Sequence, residues 1–348
     1  MESRRDLDER KGSILRALIS LYVRSGEPVG SKTLVEKYKL GVSPATVRNE
    51  MAALEDAGFI YQPHTSAGRI PTDAGYRYFV DAWVRDVKLP ERERQRVEEF
   101  FGEPRWELQD SLRRTAELLS HLTHHAAVVF APTLDKSIVR RVELVRLSGD
   151  RAMTILVTET GRVENQVVLI PETIDDVQLD RSAEMLNKIV VGNGIESVPH
   201  LITDSIDRFP LELREAVLTV AKTLESELSQ REGEQVFLEG ASNIVDEHKF
   251  ADLETVRGVI GALEHRRLLL EVLADGLTAE RLSVRIGSEN QARAMHYCSI
   301  ITAPYGLADN AIGSLAVVGP TRMDYRKSIA AVHEVAGALG RMLTDLGI

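Results

Sequence analysis

Residues Pro44–Ala57 sit between a strong helix start and a strong helix stop. In Ser43-Pro44 the serine oxygen can cap free helical N–H groups, and proline suits the first helical position. Gly58 supplies the left-handed residue that closes the helix. Between them Val47, Met51 and Leu54 share one face at helical period. Upstream, Ile14, Leu18, Leu21 and Tyr22 form an apolar stripe at the same period, ended by Gly26-Glu27-Pro28-Val29-Gly30. Ser31 is placed to cap a short helix over Lys32–Tyr38, with Leu34 and Val35 inward, and Leu40-Gly41-Val42 is a tight turn. Downstream, Phe59-Ile60-Tyr61 and Arg69-Ile70-Pro71 read as two short strands around a Pro/Ser/Gly loop. Three helices followed by a hairpin predict a winged helix-turn-helix.

With Val47, Met51 and Leu54 inward, about 100° per residue aims Asn49 outward, flanked by Ala45, Thr46 and Arg48. Ala52 and Ala53 keep that face slim. A slim face carrying Asn, Arg and Thr suits a DNA major groove: Asn pairs bidentately with adenine and Arg with guanine, each worth about 1–3 kcal/mol of discrimination. Thr46, Arg48 and Asn49 are therefore the expected base-edge contacts. Ser43 at the helix start can meet a phosphate, and Lys32, Thr65, Ser66 and Arg69 are the other expected backbone contacts. His64 belongs to the same loop, His64-Thr65-Ser66-Ala67-Gly68-Arg69, which has the groups a wing uses on backbone or minor groove. Charge agrees. Residues 1–80 carry 12 Lys and Arg against 10 Asp and Glu, whereas the rest carries 31 against 43. Only the first segment would meet an anion without net repulsion. The bland alternative is a small helical domain, or a winged helix that binds protein; an acidic or flat outer face would favour it, and Arg48 and Asn49 do not.

Beyond this module, Tyr76, Val80, Trp83, Val84 and Val87 share a helical face, and Pro90 with Glu91–Arg96 reads as a solvated linker helix. The first domain is expected to span 1–88. A helix with Leu108, Leu112, Leu119 and Leu122 precedes strand candidates Ala127–Phe130, Val139–Leu147, Ala152–Val157 and Val163–Ile170, with Gly149-Asp150 and Thr160-Gly161 as hairpin turns. Helical stripes follow, Leu213 to Leu228 and Leu253 to Leu263. Strands return at Leu282–Ile286, Ser299–Ala303 and Ile312–Val318, before a last helix with Tyr325, Ile329, Val332, Ala336, Leu339 and Leu343 on one face. Strands, helices, then strands again predict one α+β sheet domain, 104–176 with 276–348, split by a mostly helical module at 177–275.

Other chemistry is thinly represented. A single cysteine, Cys298, excludes an intramolecular disulfide and a cysteine zinc cluster; its apolar surroundings predict a buried residue. His121, His124 and His125 have metal-like spacing but no nearby carboxylate or thiol completes a set, so no metal is expected. There is no GxxxxGK[ST] loop and no GxGxxG after a strand; Gly192-Asn193-Gly194 reads as a turn. An enzyme is not expected, nor a cofactor. The charged start and the lack of about 18 consecutive apolar residues predict a soluble, cytoplasmic protein with no membrane partner.

Several long motifs are distinctive. HTSAGRIPTDAGYRYFVD (His64–Asp81) resembles the wing and following helix of the HrcA family of bacterial heat-inducible transcription repressors, and VSPATVRNEMAALEDAGFI (Val42–Ile60) its recognition helix. VFLEGASNIVDEHKF (Val236–Phe250), VRIGSEN (Val284–Asn290), CSIITAPYG (Cys298–Gly306) and GPTRMDY (Gly319–Tyr325) are similar to further family motifs, so the resemblance spans nearly the whole chain. It implies a winged helix, a GAF-like α/β sheet domain and an inserted dimerisation domain. It also implies a homodimer on the CIRCE inverted-repeat operator of chaperonin operons, kept active by a GroEL-type chaperonin. GAF relatives often hold small ligands. Arg322, Asp324 and Tyr325 are thus candidate ligand or dimer contacts, although Asp324 can simply cap the last helix. The rival reading is a winged-helix regulator controlled by a metabolite in that domain.

Overall fold

The computed structural model describes residues 7–65, 67–84, 87–102, 108–130, 138–159, 163–230, 236–245, 253–264, 281–307 and 310–345. At the N-terminus α1 (Glu9–Ser25), α2 (Ser31–Lys37) and α3 (Pro44–Asp56) precede a hairpin of β1 (Ile60–Tyr61) and β2 (Ile70–Pro71). The expected winged helix-turn-helix is present. Ser31, expected as a cap, instead lies inside α2 and is buried, while Gly30 stands at the cap position. Val29 adds a third rung to the wing, exchanging two 2.9 Å backbone hydrogen bonds with Arg69. Gly68 permits this, because a Cβ there would lie 2.4 Å from the Val29 carbonyl carbon.

Next come α4 (Asp73–Trp83) and α5 (Glu91–Gly102). Thr72 caps α4 through the Gly75 N–H and donates its own hydroxyl to the Gly58 carbonyl. The segment expected to be a solvated linker helix is α5, and it is docked: Val97 is fully buried and Glu93 pairs with Lys327 at 3.0 Å.

A five-stranded antiparallel sheet forms the centre of the chain. It is built from β3 (Ala126–Phe130), β7 (Val236–Glu239), β8 (Ser283–Ile286), β9 (Cys298–Leu307) and β10 (Asn310–Pro320), in the spatial order β7-β3-β10-β9-β8. Period-two alternation sorts its residues. Ala127, Val129, Ile301 and Val317 face the core shared with α6 (Leu108–Thr123) and the last helix, α11 (Tyr325–Asp345). Ala126, Val128, Ile300 and Val318 face the other side, against Val259 and Leu263 of α10 (Leu253–Glu264). The first of these cores is continuous with the winged helix: Ile14, Leu54 and Phe79 belong to the same buried cluster as Val97, Leu112 and Val335.

The expected domain limits need correction. The meander β4 (Val139–Ser148), β5 (Arg151–Thr158) and β6 (Val163–Leu169) was assigned to the central sheet, but it forms a separate three-stranded sheet. It packs on α7 (Asp176–Val190) and α9 (Arg214–Gln230), with α8 (Val198–Asp204) against α9. Asn187 of α7 joins helix to sheet by accepting the Val142 N–H at 2.9 Å and donating to the Val142 carbonyl at 2.6 Å. Conversely β7 and α10, placed by the expected limits inside 177–275, belong with the central sheet. The module that interrupts that sheet therefore begins near Ile138 rather than at 177, ends before Val236, and mixes sheet with helix. Alternation identifies a strand without saying which sheet it joins. The hairpin at Gly149-Asp150 and the turn at Gly192-Asn193-Gly194 are as expected, whereas Thr160-Gly161 lies outside the described residues.

Two consequences are measurable. A Cβ at Gly75 would lie 2.1 Å from the Phe59 carbonyl oxygen, which cannot retreat without opening the wing. Gly75→Ala should cost about 1–3 kcal/mol in thermal unfolding. Cys298 is fully buried, and burial pushes its thiol up to about 12. A thiol-specific reagent at pH 8 should leave it unmodified in the folded protein and modify it promptly in denaturant, because only the thiolate reacts.

Candidate nucleic-acid interface

The reading helix is oriented by its own apolar face. Val47, Met51 and Leu54 are buried against α1 and α2, which leaves Arg48 and Asn49 exposed. The Ser43 side chain caps α3, accepting the Thr46 N–H at 3.1 Å, and its Oγ lies 3.0 Å from the Thr46 hydroxyl. Ser43 and Thr46 thus sit together at the helix start, beside the positive end of its dipole. Lys32 is exposed on α2, and His64 and Thr65 are exposed at the wing tip. Gln62 shapes that tip by donating to the carbonyls of Thr65 and Ala67, at 3.0 and 2.8 Å. Ser66 lies outside the described residues.

Acidic groups on α3 would repel phosphates, and two are paired. Glu50 has Arg10 at 3.7 Å and Lys11 at 3.5 Å, both from α1. Glu55 accepts two bonds from Arg69, at 3.1 and 2.9 Å. Arg69 is therefore a strut between wing and reading helix. Its charge is already partnered, so the structure gives it a positioning task beside the phosphate contact expected of it. Among the described residues the exposed Arg48 and Asn49 have no side-chain hydrogen bond or ion pair to break before reaching a ligand.

The other candidates are placed differently. Asp324 caps α11, accepting the Lys327 N–H at 3.1 Å. Tyr325 is buried, donates to the Thr321 carbonyl at 2.8 Å and meets the Ser299 hydroxyl at 2.6 Å. Burial pushes the hydroxyls of Tyr325 and Tyr76 far above the usual phenol range, so both stay protonated. The Arg322 guanidinium stacks over the Tyr22 ring of α1 at 5.9 Å, and the Tyr325 ring lies 5.6 Å from that of Tyr76. These residues meet the winged helix. Asp73, Arg77, Ser288 and Glu289, which join them there, were missed as site residues; RIPTDAGYRY and VRIGSEN named the segments but no local pattern pairs them. Of the three histidines, His121 and His124 are exposed and His125 is buried with its ring against Gly319. Among the described residues no group of His, Cys, Asp or Glu is arranged to hold a metal ion, and no helix is long and apolar enough to cross a membrane.

A capped reading helix with a slim polar face, a wing beside it and paired acids around it define a winged-helix DNA-binding regulator. Residues 6–81 match the winged helix-turn-helix transcription repressor, HrcA DNA-binding family model, and residues 109–329 match the HrcA protein C-terminal domain. A heat-inducible transcription repressor HrcA of Acidothermus cellulolyticus is 41% identical, covering 97% of this chain and 99% of its own. One from Streptomyces avermitilis is 43% identical with the same coverage. The chain belongs to the HrcA family of heat-inducible transcription repressors, with its DNA-binding module at the N-terminus. A crystal structure of a hypothetical protein at 2.2 Å resolution shares the fold, with a TM-score of 0.65 at 22% identity, over 98% of this chain and 100% of that one.

Asn49→Ala should weaken operator binding by about 1–3 kcal/mol and relax preference at one base pair. Arg69→Ala should weaken all sequences to a similar degree, since it loosens the wing rather than a base contact. Competition gel shifts against a panel of single-base operator variants distinguish the two patterns.

Proposed function

We propose that two copies of this chain bind an inverted-repeat operator of the CIRCE type, upstream of chaperonin genes, and block transcription until heat stress. The observation that carries the reading is the exposed Arg48–Asn49 face on a helix whose rotation the core fixes. Thr46, Arg48 and Asn49 would read base edges in the major groove. Lys32, Ser43, His64, Thr65 and Ser66 would meet phosphates, with Arg69 holding the wing at its angle. One winged helix reads few base pairs. A two-fold pair reads two half-sites, and tethering makes the second event intramolecular.

The separate β4–β6 sheet supports the homodimer. One of its faces is buried on α7 and α9. The other presents Val145, Met153 and Val167 as a row across the three strands, with Val163 and Leu169 beside them. Val145, Val163, Val167 and Leu169 are 45–69% exposed. An apolar row of this kind, flanked on the same face by Arg141, Glu143, Arg151 and Asn165, fits a second copy of the same face about a two-fold axis. We therefore assign dimerisation to the inserted module, read the central sheet as GAF-like, and place the protein in the bacterial cytoplasm. In this reading a GroEL-type chaperonin maintains the active repressor, and repression lapses when heat-damaged proteins occupy it. Against the metabolite-controlled alternative, Arg322 and Tyr325 already engage the chain's own Tyr22, Thr321 and Ser299.

Selection of duplexes from a random pool by the full chain should return a palindrome; recovered sites without two-fold symmetry would overturn the proposal. Val167→Glu with Leu169→Glu should give a monomer in sedimentation analysis. That monomer should keep weak half-site binding and lose at least about 100-fold in affinity for the palindrome.

A further inference from the structure

Four segments distant in sequence meet where the winged helix joins the central sheet: the end of α1, α4, residues 284–289 and residues 322–325. α3 packs on α1, α2 and β1, whereas α4 packs on β8 and the Tyr22–Gly26 end of α1 meets Arg322. Across this joint the Asp73 carboxylate accepts the Ser288 N–H and the Ser288 hydroxyl, both at 2.9 Å. Arg77 forks onto Glu289, with Nε to Oε1 at 2.8 Å and Nη2 to Oε2 at 2.5 Å, and Nη2 also donates to the Val284 carbonyl at 2.5 Å. Glu289 is held in turn, because Oε2 accepts the Ile286 N–H at 2.8 Å. Asp81 stands 3.4 Å from the other guanidinium nitrogen. Two glycines let the surfaces close. Gly287 takes φ +53°, and a Cβ there would lie 2.3 Å from the Asp73 carboxylate. Gly26 takes φ +73°, and a Cβ there would overlap the Arg322 guanidinium.

Bidentate carboxylate–guanidinium pairs fix orientation as well as distance, unlike a point-charge lysine contact. An apolar contact alone would let the small module slide. Directional bonds from Asp73 and Arg77, one helical turn apart on α4, with the Arg322–Tyr22 contact beside them, resist that sliding. In a dimer the angle of this joint sets how far apart the two reading helices stand, and half-sites read together lie about 34–36 Å, or a multiple of that, apart.

We propose that Asp73 and Arg77 are positioning residues for operator recognition: with Ser288 and Glu289 they clamp the reading head to the central sheet and so set the half-site spacing the dimer accepts. The proposal rests on the dimeric-repressor reading above, and its test separates the two.

The full-length chain, carrying spin labels at Glu36→Cys and Glu117→Cys, reports the head-to-sheet distance directly. Both sites are exposed, while the native Cys298 is buried and stays unlabelled. Diluting labelled with excess unlabelled chain confines the signal to one protomer. The wild type should give one narrow distance distribution, and Arg77→Ala should broaden it. Glu289→Gln keeps an oxygen for the Ile286 N–H but loses the ion pair, and should broaden it too. Unchanged distributions in both variants overturn the clamp, whatever the DNA result. Selected palindromes with spacers altered by single base pairs supply the second readout. The wild type should lose about tenfold in affinity for each misplaced base pair, as simultaneous engagement fails. Arg77→Ala should lose about two- to threefold at most, with single half-site affinity unchanged, because its heads can adjust. A broadened distribution with an equally sharp spacer preference overturns the positioning role. A wild type that recognises no palindrome counts against the dimeric-repressor reading instead, and the distance measurements still judge the clamp.

Discussion

Everything functional in this chain depends on the burial of Val47, Met51 and Leu54 beneath α3. Each buried side chain of this size stabilises by about 1.5–3 kcal/mol relative to exposure, so rotating the helix about its axis would forfeit several of them at once. The rotation is therefore determined by packing rather than by DNA. Arg48 and Asn49 face outward because their neighbours must face inward. The Ser43 cap fixes where the helix begins, and Gly58, at φ +81°, fixes where it ends. A surface that reads base edges needs this arrangement before the ligand arrives, because side chains still free to turn would lose entropy on binding.

The same hydrophobic core continues through α4, α5, α6 and α11 into the central sheet. The winged helix is thus not hung on a flexible tether. Its apolar underside is shared with the sheet domain, and its polar contacts there are directional. That continuity has a thermodynamic side. Elements that share one core tend to unfold together, so a loss of packing around α11 or β9 reaches the reading head without passing through the DNA.

How much of this could be read from residues alone follows from the range of the interactions involved. Caps, turns and helical stripes are local, and Ser43, Gly58, the wing strands and the outward pair Arg48–Asn49 were all legible. Arg69 was legible as a wing residue, but its pairing with Glu55 spans fourteen residues and depends on the wing folding back over the helix. The joint was not legible. Arg77 and Glu289 are 212 residues apart, and nothing in either neighbourhood selects the other. The Asp324 cap was legible because it is local, whereas Arg322 and Tyr325, read as candidate ligand or dimer contacts, lie against Tyr22 and Tyr76 of the winged helix.

The misplaced boundary of the inserted module has the same origin and a further consequence. β5 alternates cleanly: Ala152, Thr154, Leu156 and Thr158 are buried, and Met153, Ile155 and Val157 are half-buried on the other side. Ala152 and Leu156 on one face and Met153, Ile155 and Val157 on the other give β5 apolar side chains on both sides, as a sheet covered on both sides requires. Among the described residues one face is covered, by α7 and α9, and the other is not. The described residues leave Val145, Val163, Val167 and Leu169 exposed on that face, and in the proposed dimer a second copy would supply the covering layer. In that dimer the face sits in a module whose buried clusters are separate from the core that the winged helix shares with the central sheet, so association there leaves the Arg77–Glu289 joint unconstrained.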